Sequence, residues 1–198
     1  MRFPISIGLA AVILTAGCGA PRVITTEDAS PSQSTAAAPP PTTTTRPSNA
    51  HLANAFHFAA DVAGRTGYYF TSPSGRWECA IIPRTSAGCQ SAQSASIGID
   101  GAPDEVPGPD GDLTTPNAIV VERTGEARFV AQQAPGFTLD PGPATELPFN
   151  RILAVAGFRC NIQETTGISC LSELSGEGFT FSAESYTTTY TDVPADAP

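Results

Sequence analysis

The chain contains no lysine: all ten basic residues are arginine, set against 19 acids and two histidines, for a net charge of −9. The arginines are scattered, so no basic cluster exists to hold a phosphate backbone against that net charge. Nucleic acid is therefore not an expected partner, and direct adsorption to anionic lipid is equally disfavoured. The chain also lacks the apolar run of ~20 residues that a membrane-spanning helix needs. No Gly-x-Ser-x-Gly elbow is present, and His51 and His57 are the only imidazole bases. A catalytic histidine needs a nucleophile and an orienting acid within reach, and neither histidine sits in a motif that supplies them.

What the chain does have begins at its N-terminus. Arg2 provides a minimal positive region, and residues 3–16 provide a short apolar one that leads into Leu14-Thr15-Ala16-Gly17-Cys18. This reads as a signal peptide over 1–17 followed by a lipobox cysteine. Small Ala16 and Gly17 let the backbone enter the modifying enzymes, and the Cys18 thiol forms the thioether. Leu14 stands one place upstream of the strictest pattern, with Thr15 where leucine is commonest. The competing reading is an ordinary signal peptide with an incidental cysteine. Each buried methylene contributes about 0.8 kcal/mol, so one chain anchors only reversibly. A diacylglyceryl group joined by an N-acyl chain such as palmitate holds a protein essentially permanently. The expected location is the outer face of the cell membrane, with the membrane itself engaged through the lipid.

Removal of 1–17 leaves nine arginines against 19 acids, a net charge of −10. Residues 19–50 are rich in Pro, Thr, Ser and Ala, including the run Pro39-Pro40-Pro41-Thr42-Thr43-Thr44-Thr45. Few apolar side chains offset ordering entropy there, so 18–50 reads as the lipidated cysteine plus a disordered tether. At about 3.1 Å per residue it reaches roughly 100 Å when extended. Its threonine run is a plausible O-glycosylation target as well as a spacer. About 140 residues remain, over 51–190, enough for one domain, and 191–198 reads as a fraying tail.

Four further cysteines form two equally spaced pairs, Cys79/Cys89 and Cys160/Cys170. Alternate residues of a strand share a face, so Trp77, Cys79 and Ile81 point one way, as do Phe158, Cys160 and Ile162. Arg76, Glu78 and Arg159 point the other way. Turns at 83–86 and 164–167 fold each pair into a hairpin that sets its cysteines opposite each other, close enough for a disulfide. Four cysteines allow three connectivities; export favours oxidation, and the registers favour local pairing. Each such ring contributes about 2.5–3 kcal/mol on the loop-entropy account. The tight Cys-x₂₋₄-Cys spacings and nearby histidines of zinc sites are missing, so no metal or other cofactor is expected. The hairpins also match at Ile81/Ile162, Thr85/Thr166 and Ser91/Ser172, through duplication of one unit or convergence under the same steric demand.

Around the hairpins, Leu52, Phe56, Ala59 and Ala63 fall at helical spacing, which predicts a short helix over 51–62 capped by Ser48 or Asn49. Strands are expected at Tyr68-Tyr69-Phe70, Ile119-Val120-Val121, Phe129-Val130-Ala131, and from Phe179 to near Tyr190. Short strands between Pro/Gly turns predict a mainly β fold, an antiparallel sandwich or partly closed barrel. Ser72-Pro73-Ser74-Gly75, Leu147-Pro148-Phe149, Gly157-Phe158-x-Cys160, Thr166-Gly167-Ile168-x-Cys170 and Gly176-x-Gly178-Phe179 resemble a family of small secreted or lipid-anchored actinobacterial (mycobacterial-type) lipoproteins of unassigned activity. The resemblance spans about residues 68–186 and implies compartment and fold only. Asn150 stands where glycine commonly follows the Leu-Pro-aromatic triplet, and Glu177 where histidine is frequent.

Candidate sites are few. Asp100, Asp104, Glu105, Asp110 and Asp112 make an acidic loop without the ligand order of an EF-hand, which reads as solvated rather than calcium-binding. Tyr68 and Tyr69, with Trp77 as a core residue, are the candidate binding face for an envelope protein or glycan. The sequence thus predicts a non-enzymatic, lipid-anchored interaction module. The alternatives are a small envelope hydrolase using paired carboxylates and a passive structural spacer.

Overall fold

The computed structural model describes residues 47, 49–93, 95–134 and 136–198. The signal peptide expected at 1–17, Cys18 and nearly all of the tether lie outside the described residues. A 3-10 turn (Ala55–Phe58) leads into strands β1 (Ala59–Val62), β2 (Arg65–Thr71), β3 (Trp77–Ile82), β4 (Ser86–Ser91), β5 (Val106–Pro107), β6 (Leu113–Thr114), β7 (Ala118–Glu122), β8 (Arg128–Val130), β9 (Thr145–Glu146), β10 (Ile152–Val155), β11 (Phe158–Gln163), β12 (Gly167–Ser172), β13 (Gly178–Phe181) and β14 (Tyr186–Thr187). The large sheet runs β1-β2-β3-β4-β7-β8, with β9 added in parallel to β2. The small sheet is an antiparallel meander, β10-β11-β12-β13-β14, and β5-β6 form a separate hairpin.

The predicted registers hold in both cysteine hairpins. Cys79 faces Cys89 across β3-β4 and Cys160 faces Cys170 across β11-β12, each pair bonded and with Cα atoms 4.1 Å apart. That spacing belongs to the close pairs of an antiparallel ladder, which lack mutual backbone bonds. Both disulfides point between the sheets, into a core with Trp77, Ile81, Phe158, Ile162, Phe179 and Phe181. Trp77 stacks edge-on against Phe181, centroids 5.0 Å apart, and so ties one sheet to the other. The mainly β architecture expected from the sequence is therefore observed, as two sheets over one core.

The outer face of the large sheet carries a second apolar cluster of Tyr69, Ala80, Ala118, Val120 and Phe137. Phe137 comes from the segment after β8, which lies over the strands. It is fastened by Phe137 N–H donating to Gln90 Oε1 (2.8 Å), Gln90 Nε2 to Thr138 Oγ1 (2.6 Å) and Thr138 Oγ1 to Glu78 Oε2 (2.7 Å). Covering that face makes β3 and β4 buried on both sides.

Two expectations are corrected. The helix predicted over 51–62 is a single 3-10 turn, with Asn54 rather than Ser48 or Asn49 as its cap: Asn54 Oδ1 accepts from Phe56 N–H at 3.1 Å. Residues 59–62 instead pair with β2 through a two-residue turn, Ala63 at φ 51° and Gly64 at φ 75°. Positive φ at both positions suits the twist of a hairpin, and strand pairing overrides alanine's helical preference. The tail expected to fray over 191–198 begins as a docked segment, with Val193 2% exposed. The last strand, expected to run to Tyr190, breaks at a turn closed by Ser182 N–H donating to Ser185 O (2.9 Å) before β14. In that turn the Ser182 hydroxyl donates to Glu184, and this bond chiefly lowers the carboxyl's pKa.

Candidate functional site

The sequence placed its binding face on Tyr68 and Tyr69, and the structure separates them. Adjacent strand residues point to opposite faces: Tyr68 packs half-buried against the inter-sheet core, while Tyr69 is 6% exposed in the outer cluster. Burial pushes the Tyr69 phenol above its ordinary pKa, with nearby Arg65 opposing. The two rings form no common exposed surface, because the segment carrying Phe137 covers one of them. Trp77 is buried, as its alternation with Cys79 predicted.

A different constellation opens at one end of the seam between the sheets, where three turns meet. The first joins β2 to β3. Ser72 is 5% exposed, and its hydroxyl accepts the Trp77 N–H at 3.1 Å while lying 3.1 Å from Ser74 Oγ. Gly75, at φ 66°, donates to Ser72 O (2.8 Å) and closes the turn. Arg76 then lies over the Trp77 ring at 4.8 Å and donates to Gly98 O at 3.0 Å.

The second turn spans residues 147–151. Leu147 is fully buried and roots it, Arg151 N–H donates to Pro148 O (3.2 Å), and Asn150 sits at φ 60°. A left-handed position tolerates glycine or asparagine best. Asn150 is held further by its N–H donating to Ile162 O at 2.8 Å. Phe149 is lifted at the crest of this turn and stays 38% exposed. The third turn, between β11 and β12, brings Glu164 to the rim.

Between these turns lies an open cleft of about 400 Å³. Its floor is apolar, made by Trp77, Ile162, Ile168 and Phe181, and Phe149 stands at its edge. Ser74, Arg76 and Glu164 supply donors and acceptors around it. An apolar floor with a few convergent polar groups is the usual build of a binding site. It suits a partner that inserts one apolar group and hydrogen-bonds around it.

The remaining candidates stay apart. His51 Nε2 lies 3.4 Å from Ala195 O, and His57 is exposed in the 3-10 turn. Asp100, Asp104, Glu105, Asp110 and Asp112 are all exposed. Their loop is organised by backbone bonds, Gly108 N–H to Asp112 O (2.8 Å) and Gly111 N–H to Gly108 O (3.0 Å). Among the described residues no three metal-ligating side chains converge. Cys18 lies outside the described residues. Sequence reasoning assigned no binding role to Phe149; the signal was there in Pro148-Phe149-Asn150, an aromatic between two turn formers.

Compared with known proteins, the chain matches no family model, no curated sequence and no solved structure.

Proposed function

We propose that the protein is a lipid-anchored module of the cell envelope, held through Cys18 on the outer face of the cytoplasmic membrane, that binds an envelope protein or glycan. The observation that carries the binding role is the seam cleft, where Phe149 stays partly exposed beside Arg76 and Glu164. An aromatic held at a turn crest spends free energy in water that a partner's contact returns. The lipobox and the long Pro/Thr tether support display away from the bilayer. A rigid domain with two buried disulfides suits a presented surface, because its binding groups are fixed before a partner arrives.

Two variants test the reading in intact cells. Cys18→Ala should lose the acyl mass and leave the membrane fraction; unchanged mass and detergent partitioning contradict the anchor. Chemical crosslinking of the native protein should give adducts that Phe149→Ala loses by about ten-fold, the scale of a 1.4 kcal/mol contact. Adducts of equal yield in Phe149→Ala contradict the cleft, and a native protein that captures nothing contradicts binding altogether.

A further inference from the structure

The small sheet has an unusual outer face. Its outward side chains are mostly polar, as expected for a face turned to water, yet they are buried beside Leu171: Asn161 and Ser169 fully, Gln163 to 6% exposure and Thr180 to 7%. What covers them is the chain's own C-terminal segment. Asn161 Nδ2 donates to Thr191 O (2.9 Å) and to Tyr190 Oη (3.0 Å), and Thr180 Oγ1 donates to Thr189 O (2.8 Å). Gln163 Nε2 reaches Thr191 O and Asp192 O, both at 3.4 Å. Tyr190 Oη donates in turn to Asp192 Oδ1 (3.1 Å), and Val193 follows as the buried residue that ends the contact.

Three features of this contact go together. The sheet's side chains read main-chain carbonyls, and those of Thr189 and Thr191 are two residues apart, so they project to one side of an extended chain. Such a contact recognises polypeptide backbone together with the hydroxyls of Tyr190 and Thr191, the latter 3.0 Å from Thr180 Oγ1, with Val193 as an apolar plug. Neither Tyr190 nor Val193 belongs to either hydrophobic cluster, so the core does not depend on the segment. The groups it covers are hydroxyls and amides that water satisfies when the segment lifts. A segment fastened by polar bonds outside the core belongs to the low-stability end of a fold, free to open while the rest stays folded.

We propose that the outer face of β11-β12-β13 is a docking surface for an extended polypeptide, and that residues 189–193 are its resident, displaceable occupant. An incoming segment with the same carbonyl spacing, hydroxyl side chains at the places of Tyr190 and Thr191, and an apolar residue two places after the second carbonyl takes the same bonds. The tethered segment competes at a high effective concentration, roughly millimolar for a short linker, so the surface is closed in the resting protein. This face lies apart from the seam cleft and does not rest on the binding role proposed for it.

The test uses the full chain and a fluorescent peptide of residues 186–198. Val193→Asp puts a carboxylate into the buried end of the contact and releases the resident segment. That variant should bind the peptide at least ten-fold tighter than the native protein, and a scrambled peptide should not bind. Adding Asn161→Ala to it should remove at least ten-fold of that affinity. No gain in Val193→Asp with native amide protection in β11 and β12, equal binding of the scrambled peptide, or affinity indifferent to Asn161→Ala each overturns the proposal. If Val193→Asp does not fold, Val193→Ala removes only the apolar plug; a gain of three-fold or more supports the proposal and no gain overturns it.

Discussion

Gly88 in β4 lies directly beneath the ring of Phe137, so close that a Cβ built on it would overlap the ring at Phe137 Cζ. The same Cβ would come within 2.7 Å of the Ile119 carbonyl oxygen on the neighbouring strand, so moving the ring aside would not by itself make room. The absence of a side chain at 88 is what lets the segment after β8 close over the large sheet. Gly88→Ala should therefore destabilise the fold by about 1–3 kcal/mol, the range of overpacking substitutions. Denaturant unfolding measures it. A loss under about 0.5 kcal/mol would mean that the cover is loose rather than packed.

The two disulfides face the shared core from opposite sheets, and each braces the hairpin it closes. Replacing Cys79 and Cys89 together by alanine should cost about 2–4 kcal/mol, and the Cys160/Cys170 pair a similar amount. Non-reduced peptide mapping should recover Cys79 with Cys89 and Cys160 with Cys170. A double variant as stable as the native protein would contradict the bracing role, and a Cys79–Cys170 peptide would contradict the hairpins.

Much of this was legible because strand alternation is a local rule. Trp77, Cys79 and Ile81 share a face whatever surrounds them, and so do Phe158, Cys160 and Ile162; the pairing of cysteines then follows from turn position. What was not legible depends on distant segments. Tyr69 looked available, but it is buried in the outer cluster to which Phe137, 68 positions later, also belongs. Residues 59–62 have a helical composition, yet Gly64 at φ 75° turns them back onto β2. The burial of Asn161, Gln163 and Thr180 depends likewise on the tail that docks over them from further along the chain. Phe149 belonged to a motif quoted for a family resemblance, and its exposure at the seam emerged from the meeting of three turns. The matched hairpins sit in different sheets with equivalent registers, which fits duplication and convergence equally.

Tyr190 gives the docked tail a pH dependence. Burial, with the Asp192 carboxylate adding to it, holds the phenol well above the ordinary tyrosine value of about 10. A group whose pKa is raised on folding stabilises the folded state fully below its unfolded pKa. That contribution is lost as pH rises through and beyond it. Unfolding free energy should thus fall as pH climbs above about 10, by at most about 1.4 kcal/mol per pH unit from this residue. Tyr69, raised by burial, contributes with the same sign. Tyr190→Phe cannot ionise and should show a shallower decline; a decline of equal slope would contradict the burial of this hydroxyl.

The most direct test of an anchored module that binds at the seam is site-specific photocrosslinking in living cells. A photoreactive amino acid at position 149 stands at the cleft, and one at position 113, where Leu113 is 64% exposed in the β5-β6 hairpin, serves as the control. The account predicts a discrete adduct from position 149, absent from 113 and lost when Cys18→Ala releases the protein from the membrane. Equal adducts from both positions, or none from 149 while 113 captures a partner, would contradict it.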